Sequence, residues 1–454
     1  MSNVRKVSSM LAGALLLSGM LAGCGNSNNN ESASTNTGNK AGTSNETVSN
    51  AADEKVTISL LTDNSQEAVN ASKALIEAFE AKYPNITVES ETRPGGAEGD
   101  NFVKTRLATG DMNDVFFYNS GSQMQTLNPS QNFLDITSEP FMDNVIDSFK
   151  TTVSFEGKVY GVPNGSTYSG GWFYNKKVYS DLGLSVPKTW ADLMANNEKI
   201  KAAGIVPVIG TYKDNWTAQM IVLADYYNLQ LDNPAFAEDY TANKAKFATT
   251  PAALRGFEKL QEVYDKGYMN SDSLATTYDA GIAMLAEGKG AHYPMLTFAV
   301  PVFEQNFPDQ LQDIGFFAQP GDDASKNGLT VWMPGGAFIY KNSEHTEQAK
   351  LFLEFMTTPE GLAAWGSQSK PTGPWGIKGA ALPDNVAPVV RDMLPYFDAN
   401  ITAPALEFLS PVKGPNLPQI ATEVGSGIKN AQQGAEEYDK DVKKQAQQLG
   451  LEGW

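Results

Sequence analysis

One cysteine, two histidines and five arginines are all that 454 residues hold of those three types. With Cys24 alone, no disulfide forms within the chain. With only His292 and His345 and no cysteine cluster, a transition-metal site is not expected. Basic side chains are outnumbered, 34 against 52 acidic, for a net charge of -18. Such a surface repels nucleic acid and anionic lipid headgroups. Catalytic phrases are missing too: no Gly-x-Ser-x-Gly elbow, no His-Glu-x-x-His and no P-loop lysine. Gly95-Gly96-Ala97-Glu98-Gly99 lacks the lysine and spacing of a phosphate loop, and no isolated carboxylate pair stands in a glycosidase-like phrase. An enzyme is not expected, nor any cofactor.

What is present begins with a leader. Arg5 and Lys6 precede the apolar run Leu11 to Leu17, which is too short to span a bilayer, and Leu21-Ala22-Gly23-Cys24 follows. A basic start, a short apolar core and small residues before a cysteine mark a secretion signal over residues 1–23. The Leu-Ala-Gly-Cys ending resembles the lipobox of bacterial lipoproteins. That resemblance implies a diacylglyceryl group on Cys24, cleavage before it, and attachment to the outer face of the cell membrane; two acyl chains suffice for stable anchoring. Residues 24–54 then read as a disordered tether, since positions 25–54 carry eight Asn, five Ser and four Thr and almost nothing to bury. Such reach suits a single-membrane bacterium with a thick wall. Cleavage removes Arg5 and Lys6 and no acid, so the mature charge moves from -18 to -20.

The remaining 400 residues suffice for more than one domain. Val56, Ile58 and Leu60 alternate as a strand, and Thr62-Asp63-Asn64-Ser65 supplies a turn and a helix cap. Val69, Leu75, Ile76 and Phe79 form one helical stripe that Pro84 ends, and Ile86 to Glu89 alternates again. A strand–helix–strand unit of this kind starts a mostly parallel, helix-covered sheet. A helix near 101–109 and the hydrophobic strand Asp114 to Tyr118 extend it. A second α/β region opens with Thr189 capping a helix that carries Trp190, Leu193 and Ile200. A strand at 205–209, helices at 216–227, 251–266 and 280–286, and a strand at 291–295 follow. Near the end come an apolar stripe from Ala349 to Met356 and one polar helix from Glu423 to Leu449.

Several phrases in order resemble the family 1, maltose-binding-protein-like extracellular solute-binding proteins of ATP-driven importers. They are Gly157-Lys158-Val159-Tyr160-Gly161-Val162-Pro163, Tyr174-Asn175-Lys176, Leu182 to Trp190 (the Gly-Leu-x-x-Pro-x-Thr-Trp phrase), Gly288 to Ala291, Gly335-Gly336 and Thr358-Pro359-Glu360. The resemblance implies a two-lobed, type II periplasmic-binding-protein-like α/β fold with a hinge. It places lobe one at 55–163 and 299–333 and lobe two at 164–298 and 334–454, with crossings near Asn164-Gly165, Phe298-Ala299 and Pro334-Gly335. It implies a monomer that encloses a neutral carbohydrate, an oligosaccharide, and delivers it to the importer's permease subunits. A peptide, polyamine or metal ligand is the alternative, and a secreted carbohydrate-active enzyme a more distant one.

Candidate ligand-binding residues follow from strand ends and from rings next to loops. Asp63 and Asn64 follow the first strand, where an open α/β sheet places its crevice; helix capping is their other reading. Asn119 and Ser120 end the third strand and match the family's next ligand loop, or form a turn. Tyr168 stands where the maltose-binding pattern has a carboxylate, which argues against maltose. Trp172 reads as stacking or as core. Trp216 opens a helix after a polar loop. Phe298 aligns with a family tryptophan, and Tyr293 competes with it. Trp332 and Trp375 adjoin Pro334-Gly335-Gly336 and Pro371-Thr372-Gly373-Pro374, loops rigid enough to present a ring.

Overall fold

The computed structural model describes residues 55–454; the leader, Cys24 and the tether lie outside the described residues. The first alternating run becomes β1 (Val56–Asp63), with Ile58, Leu60 and Leu61 fully buried. The Ser65 hydroxyl caps helix Gln66–Lys82 by accepting from the Ala68 amide at 3.3 Å. Leu75 and Phe79 of that helix are buried, and β2 (Ile86–Arg93) returns parallel to β1. β3 (Val115–Tyr118) is buried along its whole length, as a run of hydrophobes predicts for a covered strand.

A small hairpin, β4 (Ser154–Phe155) and β5 (Lys158–Val159), precedes β6 (Gly161–Pro163). The remaining strands are β7 (Tyr168–Asn175), β8 (Val206–Val208), β9 (Gly290–Leu296), β10 (Ile314–Ala318), β11 (Leu329–Trp332), β12 (Gly336–Ile339) and β13 (Thr402–Pro404). One sheet runs β2-β1-β3-β12-β6; the other runs β13-β11-β7-β9-β8, with β10 also on β7. Each sheet anchors one lobe.

Sheet membership reverses two expected assignments. β10 and β11, from 299–333, pair antiparallel with β7 in the second sheet. β12, expected in lobe two, pairs with β3 and β6 in the first. The chain does not cross at Phe298-Ala299: β9 runs into the turn Thr297–Ala299, helix Val300–Asn306 and then β10 of the same sheet. It crosses at 164–167, at 333–335, and again after residue 380. There the segment paired with Val145 gives way to helix Pro388–Asp398, which packs on β10. Hydrophobic spacing marks strands but carries no information about distant antiparallel partners.

Two helix readings also change. The polar helix expected over 423–449 is two, Leu417–Gly425 and Ala431–Gln448, separated by Gly427 at φ 74°. A side chain there would also strike the Tyr264 ring. The segment 216–227 is a 3-10 turn, Asn215–Gln219, followed by helices Met220–Ala224 and Tyr226–Asp232. Thr189 does cap its helix, in a reciprocal box with Asp192.

Lobe two buries an ion pair. Lys259 and Asp225 are 1% and 4% exposed at their side chains. The Lys259 ammonium also donates to the Pro320 carbonyl at 2.8 Å and lies 5.3 Å from the Trp190 ring centre. Removing one partner strands the other charge away from water. Lys259→Met is expected to cost about 3–5 kcal/mol in urea unfolding, and the double variant with Asp225→Leu to recover much of it. An unchanged midpoint in the single variant would contradict this.

Candidate functional site

The lobes face one another across an open cleft of about 1070 Å³. Its first-lobe wall follows β3. Ser120 is buried, and its hydroxyl donates to the Pro334 carbonyl at 2.8 Å; the Asn119 amide donates to Gln123 Oε1 at 2.5 Å. The crossing Pro334-Gly335 forms the floor, and Tyr168 with residues 407–413 forms the other wall. The lobes touch where the Ser122 hydroxyl donates to the Glu407 carbonyl at 2.9 Å. Among the described residues, the charged side chains lining this cleft are Glu407 and Lys413, and they pair with each other. The same Glu407 carboxylate accepts from the Trp332 indole at 2.9 Å.

From the cleft wall a row of rings extends across lobe two. Trp332 stacks on Tyr168, centroids 6.4 Å apart and planes 15° from parallel. Tyr168 meets Phe298 edge-on at 6.3 Å, Phe298 meets Trp216 at 5.8 Å, and Trp216 meets Tyr278 at 5.3 Å. Phe298 is 38% exposed, unusual for so large an apolar ring. Trp332 is almost wholly buried and backs Tyr168 instead of facing solvent.

Tyr278 escaped the sequence reading. It opens helix Tyr278–Ala286, its amide held by the Asp214 carboxylate at 2.7 Å, and its hydroxyl has no partner among the described residues. The signal for it was the Thr277 cap, which puts an aromatic at a helix start just as Asp214-Asn215 does for Trp216. Burial, with Glu407 in support, pushes the Tyr168 phenol up to about 12, and burial with Asp279 does the same for Tyr278. Both stay protonated donors at any physiological pH.

Residues 62–363 match the family described as bacterial extracellular solute-binding protein. The multiple sugar-binding protein of Streptococcus mutans is 27% identical over 321 residues, covering 68% of this chain and 73% of that one. Among solved structures, ligand-free RafE from Streptococcus pneumoniae superimposes with a TM-score of 0.71 at 20% identity, covering 87% of this chain and 98% of RafE. RafE in complex with raffinose gives 0.62, covering 85% and 99%.

Other sequence candidates lie away from the cleft. Trp172 is fully buried: its indole donates to Gln319 Oε1 at 2.5 Å, and its ring stacks on Phe317. It is core, because the β7 face that carries it is covered by helices. Tyr293 sits beneath Tyr278, its hydroxyl 2.9 Å from Thr211 Oγ1. Trp375 is 3% exposed and bridges to Ser166 beside a different groove. Asp63 accepts from the Ser65 amide at 2.8 Å and Asn64 is exposed; neither lines the cleft.

His292, on β9, is fully buried between Tyr179 and the Pro207 carbonyl. The carbonyl only accepts, so Nδ1 donates to it and Nε2 accepts from the Tyr179 hydroxyl. Burial drives the imidazole down to about 3, outweighing the opposing pull of the Pro207 bond. The folded chain keeps it neutral where the unfolded chain, at the ordinary 6.5, takes up a proton. Its contribution to stability is complete above pH 6.5 and is lost as pH falls toward 3. In His292→Gln the pH slope of the unfolding free energy over that window is expected to flatten by up to about 1.4 kcal/mol per pH unit. A slope equal to the parent's would refute the buried neutral imidazole.

Proposed function

The chain belongs to the bacterial extracellular solute-binding proteins, and from that membership we propose that it captures a neutral oligosaccharide between its lobes for delivery to the permease of an ATP-driven importer. The observation that carries this reading is Tyr168, which lines the cleft with Asn119, Ser120 and Gln123, is backed by Trp332, and is continued by the contacting rings of Phe298, Trp216 and Tyr278. A pyranose presents C–H faces that pack on flat rings, while its hydroxyls bond amides and carbonyls. Among the described residues lining the cleft, the charged groups Glu407 and Lys413 pair with each other, which favours a neutral ligand over an anion or a cation. A saccharide ligand agrees with the multiple sugar-binding protein of Streptococcus mutans and with the raffinose complex of RafE.

The family acts outside the cytoplasm. In this reading the mature protein is a monomer held at the outer face of the membrane by lipid on Cys24, with residues 25–54 giving it reach. Cys24→Ala is expected to move it from the membrane fraction to the medium; continued membrane attachment would rule the anchor out.

The ligand class is tested by titration calorimetry against galactose, raffinose, stachyose, xylo-oligosaccharides and chitin oligosaccharides, with sn-glycerol 3-phosphate as the anionic control. Binding is expected for an oligosaccharide, with little change between low and high salt because no charge pair is made. Trp216→Ala and Phe298→Ala are each expected to weaken it by roughly 1–3 kcal/mol while leaving the fold intact. Silence across the saccharides with binding of the phosphate ester, or of a peptide or metal, would overturn the reading.

A further inference from the structure

Lobe two holds a half-enclosed recess of about 550 Å³ to which none of the five rings in the row contributes. Its walls are mostly apolar. Val222 and Leu229 come from helices Met220–Ala224 and Tyr226–Asp232, Phe247 from the loop before helix Pro251–Asp265, and Ala253 from that helix's first turn. Leu406 and Val412 close the side next to the ligand cleft. Two alanines in the first turn, Ala252 and Ala253, leave open a space that larger side chains would fill.

The walls are fixed by their own bonds. The Asp439 carboxylate accepts from the Phe247 and Ala248 amides at 2.8 and 2.9 Å, and the Phe247 ring packs edge-on against Phe236, Tyr240 and Tyr438. On the opposite side the Ala405 amide donates to the Val331 carbonyl at 2.9 Å. A recess walled in this way is formed before any guest arrives.

Two lining residues keep an oxygen without a partner among the described residues. Tyr226 is 4% exposed and its hydroxyl bonds nothing; Asp225 is 3% exposed, and Oδ1 takes the Lys259 ammonium and the Asn228 amide while Oδ2 is left over. Buried polar atoms are normally satisfied, so an apolar recess with such oxygens on its lining is chemically incomplete. Burial pushes the Tyr226 phenol above its ordinary value, so it stays a protonated donor. A hydroxyl is the group that serves both, since it accepts from a phenol and donates to a carboxylate. Charge does not select the guest: Asp225 is paired with Lys259, and Glu407 with Lys413. That second pair lines both the recess and the ligand cleft and so partitions them.

We propose that this recess is a second binding site, for a small neutral molecule with an apolar body and a hydroxyl head, such as a phenol or a medium-chain alcohol. The apolar body lies among Val222, Leu229, Phe247 and Leu406, and the hydroxyl bonds Tyr226. The inference does not rest on the saccharide reading, because its guest sits behind the Glu407–Lys413 pair and its probes contain no sugar.

The test follows the ¹³C-labelled alanine, leucine and valine methyls of the protein by NMR during titration with hexan-1-ol and 4-ethylphenol, with ethylbenzene, hexanoate and hexylamine for comparison. Saturable shifts are expected at Val222, Leu229, Ala253, Leu406 and Val412, half-complete at about 1 mM or below. 4-Ethylphenol is expected to bind about three- to tenfold tighter than ethylbenzene, a gap that narrows in Tyr226→Phe. Ala253→Leu, which fills the recess, is expected to abolish binding of both. The absence of saturable shifts at these methyls, hexanoate or hexylamine binding tighter than hexan-1-ol, or an ethylphenol preference unchanged in Tyr226→Phe would each overturn the proposal. Should Ala253→Leu fail to fold, Tyr226→Phe and the probe series decide it.

Discussion

Everything in this molecule that bears on capture depends on how tightly the chain is packed where it passes between sheets. At Gly335 there is no room for a side chain unless its neighbours shift: a Cβ would sit 2.7 Å from the Tyr118 carbonyl and 2.9 Å from Asn164 Oδ1. The crossing strands therefore touch backbone to backbone, and the layers at 334–335, 164–167 and 372–375 are held by main-chain bonds. A linker this thin resists sliding yet bends with small φ/ψ changes, which suits two rigid bodies that must meet in one register. The same closeness lets Ser120, at the end of β3, bond the Pro334 carbonyl, so the cleft floor and the first-lobe wall form one unit.

Local chemistry was readable in the sequence and long-range pairing was not. β1, β3, the Ser65 and Thr189 caps and the buried stripe of helix Gln66–Lys82 all follow from spacing within a dozen residues. β10, β11 and β12 were recognisable as apolar runs, but their sheets are decided by antiparallel partners up to about 220 positions away. Hence 299–333 and the segment beginning at 334 were assigned to the wrong lobes. The same limit divides the tryptophans. Trp216 follows a polar loop and opens a turn, a local signature of exposure, and it does stand in the row of rings. Trp172 and Trp375 differ from it only in what distant helices and loops cover them.

Net charge is legible in the composition, whereas the charge of the cleft needs the structure. A net charge of -18 says what the surface repels but not what the pocket accepts. Glu407, in the short helix Leu406–Leu409, and Lys413 lie six residues apart with no distinctive phrase around them, so their mutual neutralisation beside Tyr168 is visible only in three dimensions. Glu407 does more than cancel a charge. It holds the Trp332 indole, and Trp332 in turn backs Tyr168, so one carboxylate orients the inner end of the ring row.

The two walls of the cleft are chemically unlike, and under the proposed capture that difference gives closure a part in binding. Lobe two offers rings, which gain by area and hardly discriminate among hydroxyl patterns. The first-lobe wall offers Asn119, Ser120 and Gln123, whose bonds are directional but which already satisfy one another or the Pro334 carbonyl. A ligand on the rings alone makes apolar contact and leaves its hydroxyls in water, whereas one against the first lobe alone must compete with bonds already made. Only when both walls meet the same molecule do area and direction add, and water leaves the space between them. Selectivity then resides in the closed state rather than in either wall, and the energy difference between open and closed scales the affinity for every ligand alike.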